Sequence, residues 1–121
     1  MSVHEADLDW LISVDDHVIE PPHVWESRLP RKFREAGPRY DPVTKVWRYE
    51  DTEIPILRGV VNGGIPVDER RFAFLSIGFD EIPPACYDPK ARVDAMLEDH
   101  VVASLLFPTV PRFCGQTFWE G

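Results

Sequence analysis

The pattern of apolar and polar positions divides the chain into two ordered ends and a less regular middle. Leu11, Ile12, Ser13 and Val14 form a short apolar run that stops at Asp15-Asp16-His17. Its β-branched members and the Pro21-Pro22 pair beyond it predict a strand rather than a helix fragment. Pro22 and Pro30 each suit a first helical position. They predict short helices over His23-Val24-Trp25-Glu26 and over Arg31 to Ala36, the second stopped by Gly37-Pro38. From Arg39 to Ile56 the residues alternate, placing Val46, Arg48 and Glu50 on one side and Trp47 and Tyr49 on the other. Asp41-Pro42 and Glu50-Asp51-Thr52 serve as turns of a meander. Arg58 to Pro84 has no clear period and is expected to be loop, with a strand over Phe72 to Ile77.

Order returns at Asp88-Pro89. Asp88 can accept a hydrogen bond from free amides of a first helical turn, and Pro89 fits where its missing amide costs nothing. Val93, Met96, Leu97 and Val101 then recur at helical spacing. His100 stands where helices often end in glycine, so it is expected to reverse the chain. The run Val101 to Phe107 carries no charge and ends at Pro108, which predicts a strand covered on both faces as in helix-packed parallel sheets. Strand, long insertion, helix and strand make a βαβ unit and an α/β fold class.

Composition narrows the function classes. The 121 residues suit one small domain. Twelve prolines, about twice average usage, mark many short elements joined by ordered loops. There is no internal repeat. A formal charge of −8 argues against nucleic-acid binding, which needs a basic surface. No apolar stretch approaches the ~20 residues that cross a bilayer, so no membrane role is expected. Residues 1–9 read as an acidic, solvated tail without the features of a secretory signal. Cys86 and Cys114 have no metal-like spacing, and a cytoplasmic protein with reduced thiols is the default.

The one cluster that points to chemistry is Asp15-Asp16-His17. Residues two apart in a strand share a face, so Asp15 and His17 project together. A carboxylate and an imidazole so placed can bind a divalent metal such as zinc, at about 2.0–2.2 Å each. Equally, the three can form a polar strand end, with Asp16 capping a turn and His17 bonded locally. Arg112, after the second strand, can pair with an anionic substrate group or form an ion pair within its loop. His23 reads as a surface or loop-packing residue. Trp25, Trp47 and Trp119 read as core or lid packing. Asn62-Gly63-Gly64 lacks the lysine and the context of a phosphate loop.

The run Ser13-Val14-Asp15-Asp16-His17-Val18-Ile19-Glu20-Pro21-Pro22, followed by Trp25, resembles the opening of the amidohydrolase-related family, which includes aminocarboxymuconate-semialdehyde decarboxylase and related decarboxylases. A second block, Asp99 to Thr109 followed by Pro111-Arg112-Phe113-Cys114-Gly115-Gln116, is similar to the second strand and following loop of one subgroup. The resemblance implies the amino-terminal portion of a (β/α)8 barrel over residues 10–121, with an insertion at about 20–87. It also implies one divalent metal, zinc foremost, held in part by Asp15 and His17, and hydrolysis or decarboxylation of a small carboxylate or amide substrate. Further ligands belong to later strands, and eight strands take about 250 residues. This chain is therefore expected to be inactive alone, and to be completed by another chain or a homo-oligomer. Two other readings stay open: a noncatalytic remnant that binds a partner through its open face, and an unrelated small α/β domain.

Overall fold

The computed structural model describes residues 11–61, 68, 72–112 and 115–119. The tail 1–9, Asn62-Gly63-Gly64 and Cys114 lie outside them. β1 (Leu11–Val18) runs parallel to β5 (Val101–Pro108), and these two strands form one sheet. A separate antiparallel sheet contains β2 (Arg39–Asp41), β3 (Val46–Tyr49) and β4 (Thr52–Pro55) in that order. The helices are α1 (Val24–Arg28), α2 (Pro89–Glu98) and α3 (Gln116–Trp119), with 3₁₀ turns at Arg31–Phe33, Arg58–Val61 and Pro84–Cys86.

Several local expectations hold. Asp88 accepts from the Ala91 amide at 2.8 Å and Pro89 opens α2. His100 takes a left-handed conformation (φ 58°) as the chain leaves the helix, with its amide on Leu97 O. Trp47 and Arg48 fall on opposite faces of β3, Trp47 fully buried and Arg48 exposed. The short helices begin later than the prolines suggest. α1 starts at Val24, and the segment after Pro30 is a single 3₁₀ turn whose end is closed by Gly37 N to Phe33 O. Phe72 to Ile77 is not a strand. Its one ladder contact is an isolated antiparallel bridge between Leu57 and Ser76.

The expectation of a (β/α)8-barrel portion fails. The described strands form a two-stranded parallel ribbon and a three-stranded antiparallel meander, without a repeating helix–strand unit. The location of the core explains why. The buried apolar residues are Ile19, Trp47, Ile56, Val61, Ile77, Ile82 and Val110, with Trp25, Tyr40, Phe79 and Tyr87 packed around them. Apart from Trp25 on α1, these lie on the meander, in the irregular segments, or just beyond the ends of β1 and β5. The space between ribbon and helix contributes none. α2 buries no residue, and its Val93 and Leu97 are 53% and 68% exposed. β5 is not covered on both faces, since Val102 and Leu105 are each 55% exposed. An uncharged run predicts burial only where something is present to cover it.

An aromatic chain holds the core together. Trp25 meets Trp47 edge-on at 5.0 Å, Tyr40 meets Trp47 at 5.5 Å and Phe79 at 4.8 Å, and Phe79 meets Tyr87 at 5.1 Å. Rings steeply inclined at this spacing, from 61° for Tyr40 on Trp47 to 88° for Tyr40 on Phe79, place positive edges against negative faces, worth about 0.5–1.5 kcal/mol per pair beyond burial. Trp119 departs from the packing expectation and is 88% exposed.

Candidate metal-ligand pair at the end of the first strand

The strand register is not uniform. Ser13 stands opposite Ser104 and Asp16 opposite Leu106, so Val14 and Asp15 together face the single residue Leu105. This is a β-bulge, a device that bends a strand and re-aims side chains. A second irregularity lies at Leu11 and Ile12, which pair with Val101 and Ala103 and leave Val102 extra on β5.

Below the bulge, the side chains separate by face. Asp15 Oδ1 lies 3.8 Å from His17 Nε2, and both groups are open to solvent. The His17 ring stacks at a tilt on Phe107, 5.9 Å between centroids. Asp16 points the other way. Its Oδ2 accepts from the Ser104 hydroxyl and lies 3.5 Å from Arg92 Nη2. The Ser104 hydrogen bond holds the Asp16 carboxyl below its ordinary range; partial burial opposes this, while Ser13 and Arg92 assist. Arg92 also donates through Nη1 to the carbonyls of His17 (3.3 Å) and Ala85 (3.4 Å).

The strand ends are tied beneath this site. Glu20, largely buried, accepts from the amides of Thr109 (3.0 Å) and Val110 (3.1 Å). Thr109 Oγ1 donates to Val18 O at 2.8 Å, and the Ile19 amide donates to Cys86 O at 2.8 Å. Burial pushes the Cys86 thiol up from its usual value, which disfavours the reactive thiolate.

The Asp15–His17 pair fits a metal in donor type and spacing. Two ligands about 2.0–2.1 Å from a tetrahedral ion stand roughly 3.3 Å apart, a small adjustment from 3.8 Å. It does not fit in donor number. Among the described residues no group of three or more His, Cys, Asp or Glu is arranged to hold a metal ion, whereas catalytic zinc ordinarily takes three protein ligands.

The remaining sequence candidates do not join the pair. Arg112 has a left-handed backbone (φ 63°), is exposed, and forms no ion pair with a described residue. His23 flanks α1 without capping it and lines a cleft of about 410 Å³ with Pro21, Arg28 and Tyr87. Arg92 and Glu20 escaped the sequence reading. Arg92 is one of several charged residues in a helical stretch, and Glu20 is one residue of the run that ends at Pro21-Pro22. Their partners are 75 and 90 positions away. The one available signal was an acid placed directly between an isoleucine and a proline pair.

No family model and no curated protein matches the chain. No described helix is long and apolar enough to cross a membrane.

Proposed function

We propose that this chain supplies two protein ligands, Asp15 and His17, to a divalent-metal centre, zinc foremost, in a hydrolase or carboxy-lyase. The rest of the centre comes from other polypeptide. The observation that carries the reading is the shared outward face of Asp15 and His17, 3.8 Å apart at the carboxyl end of a parallel strand and next to a bulge. The two sequence blocks that resemble amidohydrolase-related proteins add the reaction class and a small carboxylate or amide as substrate. A cytoplasmic setting with reduced thiols belongs to the same reading. Two donors hold a metal weakly, so the chain alone turns over no substrate.

Nuclear magnetic resonance with added zinc tests this. Weak, saturable shifts centred on residues 15–18, lost in both Asp15→Ala and His17→Ala, are expected. Absence of any zinc-dependent shift at these residues sinks the proposal. Tight one-to-one binding by the chain alone would show instead that the ligand set is complete.

A further inference from the structure

We propose that Arg92 is a positioning residue for the Asp15–His17 pair. The inference rests on the metal-ligand reading above and assigns a role to a side chain on a different element. One guanidinium reaches three groups. Nη2 lies 3.5 Å from the Asp16 carboxylate, and Nη1 donates to His17 O at 3.3 Å and to Ala85 O at 3.4 Å. Each contact is long for a charge-assisted bond, whose optimum is about 2.7–2.9 Å. Their effect comes from convergence on a rigid, planar donor fork.

The consequence follows from strand geometry. Side chains alternate, so a strand that commits Asp16 to one face sends Asp15 and His17 to the other. Asp16 is committed from two elements, by Ser104 on β5 and by Arg92 on α2. The bulge makes that commitment necessary. With Val14 and Asp15 both opposite Leu105, the ladder alone fixes the rotation of this segment poorly. Arg92 also holds the His17 carbonyl, and so the peptide plane from which the imidazole projects. The Ala85 carbonyl anchors the same guanidinium to the 3₁₀ turn Pro84–Cys86. The Arg92 side chain is only 21% exposed and its contact with Ala85 O is partly buried, while the contact with His17 O stands open to water.

The test uses the full chain, cobalt(II) as the probe metal, and Arg92→Ala and Arg92→Lys. Ile54→Ala, on the meander, serves as a distant destabilised control. Residues that orient metal ligands typically contribute 10–100-fold to affinity. Arg92→Ala is expected to weaken cobalt binding about 10-fold while far-UV dichroism is retained. Arg92→Lys, which keeps a charge beside Asp16 but loses the fork, should fall between. Should Arg92→Ala fail to fold, Arg92→Lys and Ser104→Ala carry the comparison. Wild-type affinity in Arg92→Ala, or an equal loss in Ile54→Ala, would overturn the inference. A metal-free arm separates it from the metal reading: at constant pH, Arg92→Ala should move the His17 ring-proton shifts and speed amide exchange at Val18. If the wild type binds no cobalt but these changes occur, the metal reading fails and the positioning role stands. Unchanged His17 and Val18 signals would end the positioning role whatever the metal does.

Discussion

The carboxylate of Glu20 meets the backbone amide of Val110 at 3.1 Å, and both residues are withdrawn from water. The second carboxylate oxygen takes the Thr109 amide. One side chain thus joins the exits of both parallel strands, where the ladder has ended and the amides have no strand partner. Glu20→Ala leaves two amides short of an acceptor, and each such loss costs about 1–3 kcal/mol. A fall of that order in urea-unfolding stability is expected. Glu20→Gln should fall less, since one amide oxygen remains. Unchanged urea midpoints in both variants would show that water replaces the carboxylate.

Acid should destabilise the fold through a few identifiable carboxylates. The Lys45 hydrogen bond, then the Gly78 amide, hold Glu81 below its ordinary value of 4.5. The Val43 and Thr44 contacts hold Asp41, and the Ser104 contact holds Asp16, below 3.8. A depressed folded-state pKa contributes stability that is present above the unfolded value and lost as pH falls through the folded one. Lys45 has the opposite sign. Its pKa is raised above 10.5, chiefly by Glu81, so its contribution is present below that value and lost as pH rises beyond it. Burial raises the Cys86 thiol and the Tyr40 hydroxyl, which adds to the alkaline loss, so stability should be level from near pH 5 to near pH 8 and decline on both sides. Lys45→Met should shrink the part of the alkaline limb that belongs to Lys45, leaving the part due to the partly buried Cys86 thiol and Tyr40 hydroxyl, and shrink the part of the acid limb that belongs to Glu81. An unchanged profile in that variant would remove the pair from the account.

Trp47 is fully buried, and its indole nitrogen has no hydrogen-bond partner among the described residues. Trp47→Ala should cost about 3–5 kcal/mol, the usual range for emptying an aromatic site. Trp47→Phe keeps edge contacts to Trp25 and Tyr40 and removes a polar group buried without compensation. Its cost should be well under half that of the alanine variant, measured by chemical denaturation. Equal costs would mean that ring volume alone matters at this site.

The ribbon exposes more apolar surface than its surroundings cover. Ile12 is 65% exposed, Val14 68%, Val102 55% and Leu105 55%, with Leu97 of α2 at 68%. Contiguous patches beyond a few hundred Å² are unusual on monomers, so self-association that grows with concentration is expected in sedimentation velocity. Val102→Lys combined with Leu105→Lys should reduce it at unchanged secondary structure. A monomer at high concentration in the wild type would refute this.

The features visible in the sequence are those set by near neighbours. Asp88, Pro89 and His100 bound α2 through contacts within a few residues, and alternation at Trp47 and Tyr49 marks β3. The outward pairing of Asp15 with His17 follows from strand periodicity. The core was much less legible. Ile56, Val61, Ile77 and Ile82 come from stretches without a period, yet they fill the interior. Conversely, the most apolar run, β5, suggested a helix-covered barrel layer and proves half open. Apolar content along a strand says that cover is favourable, while the residues that provide cover are set by long-range packing. The same holds for Arg92 and Glu20, whose roles exist only once β1, α2 and β5 have met.

The two irregularities in the β1–β5 ladder give this ribbon an address. Val101 to Pro108 is chemically monotonous, and a two-residue slide along such a strand would keep every side chain on its own face. Here the extra residue falls on β5 near the start and on β1 three residues later. A slid pairing would have to rebuild both defects elsewhere, with Asp16 carried away from Ser104 and Glu20 from Val110. The bulges therefore act as a vernier: only one alignment of the two scales brings both offsets into coincidence, and in that alignment Asp15 and His17 face outward together.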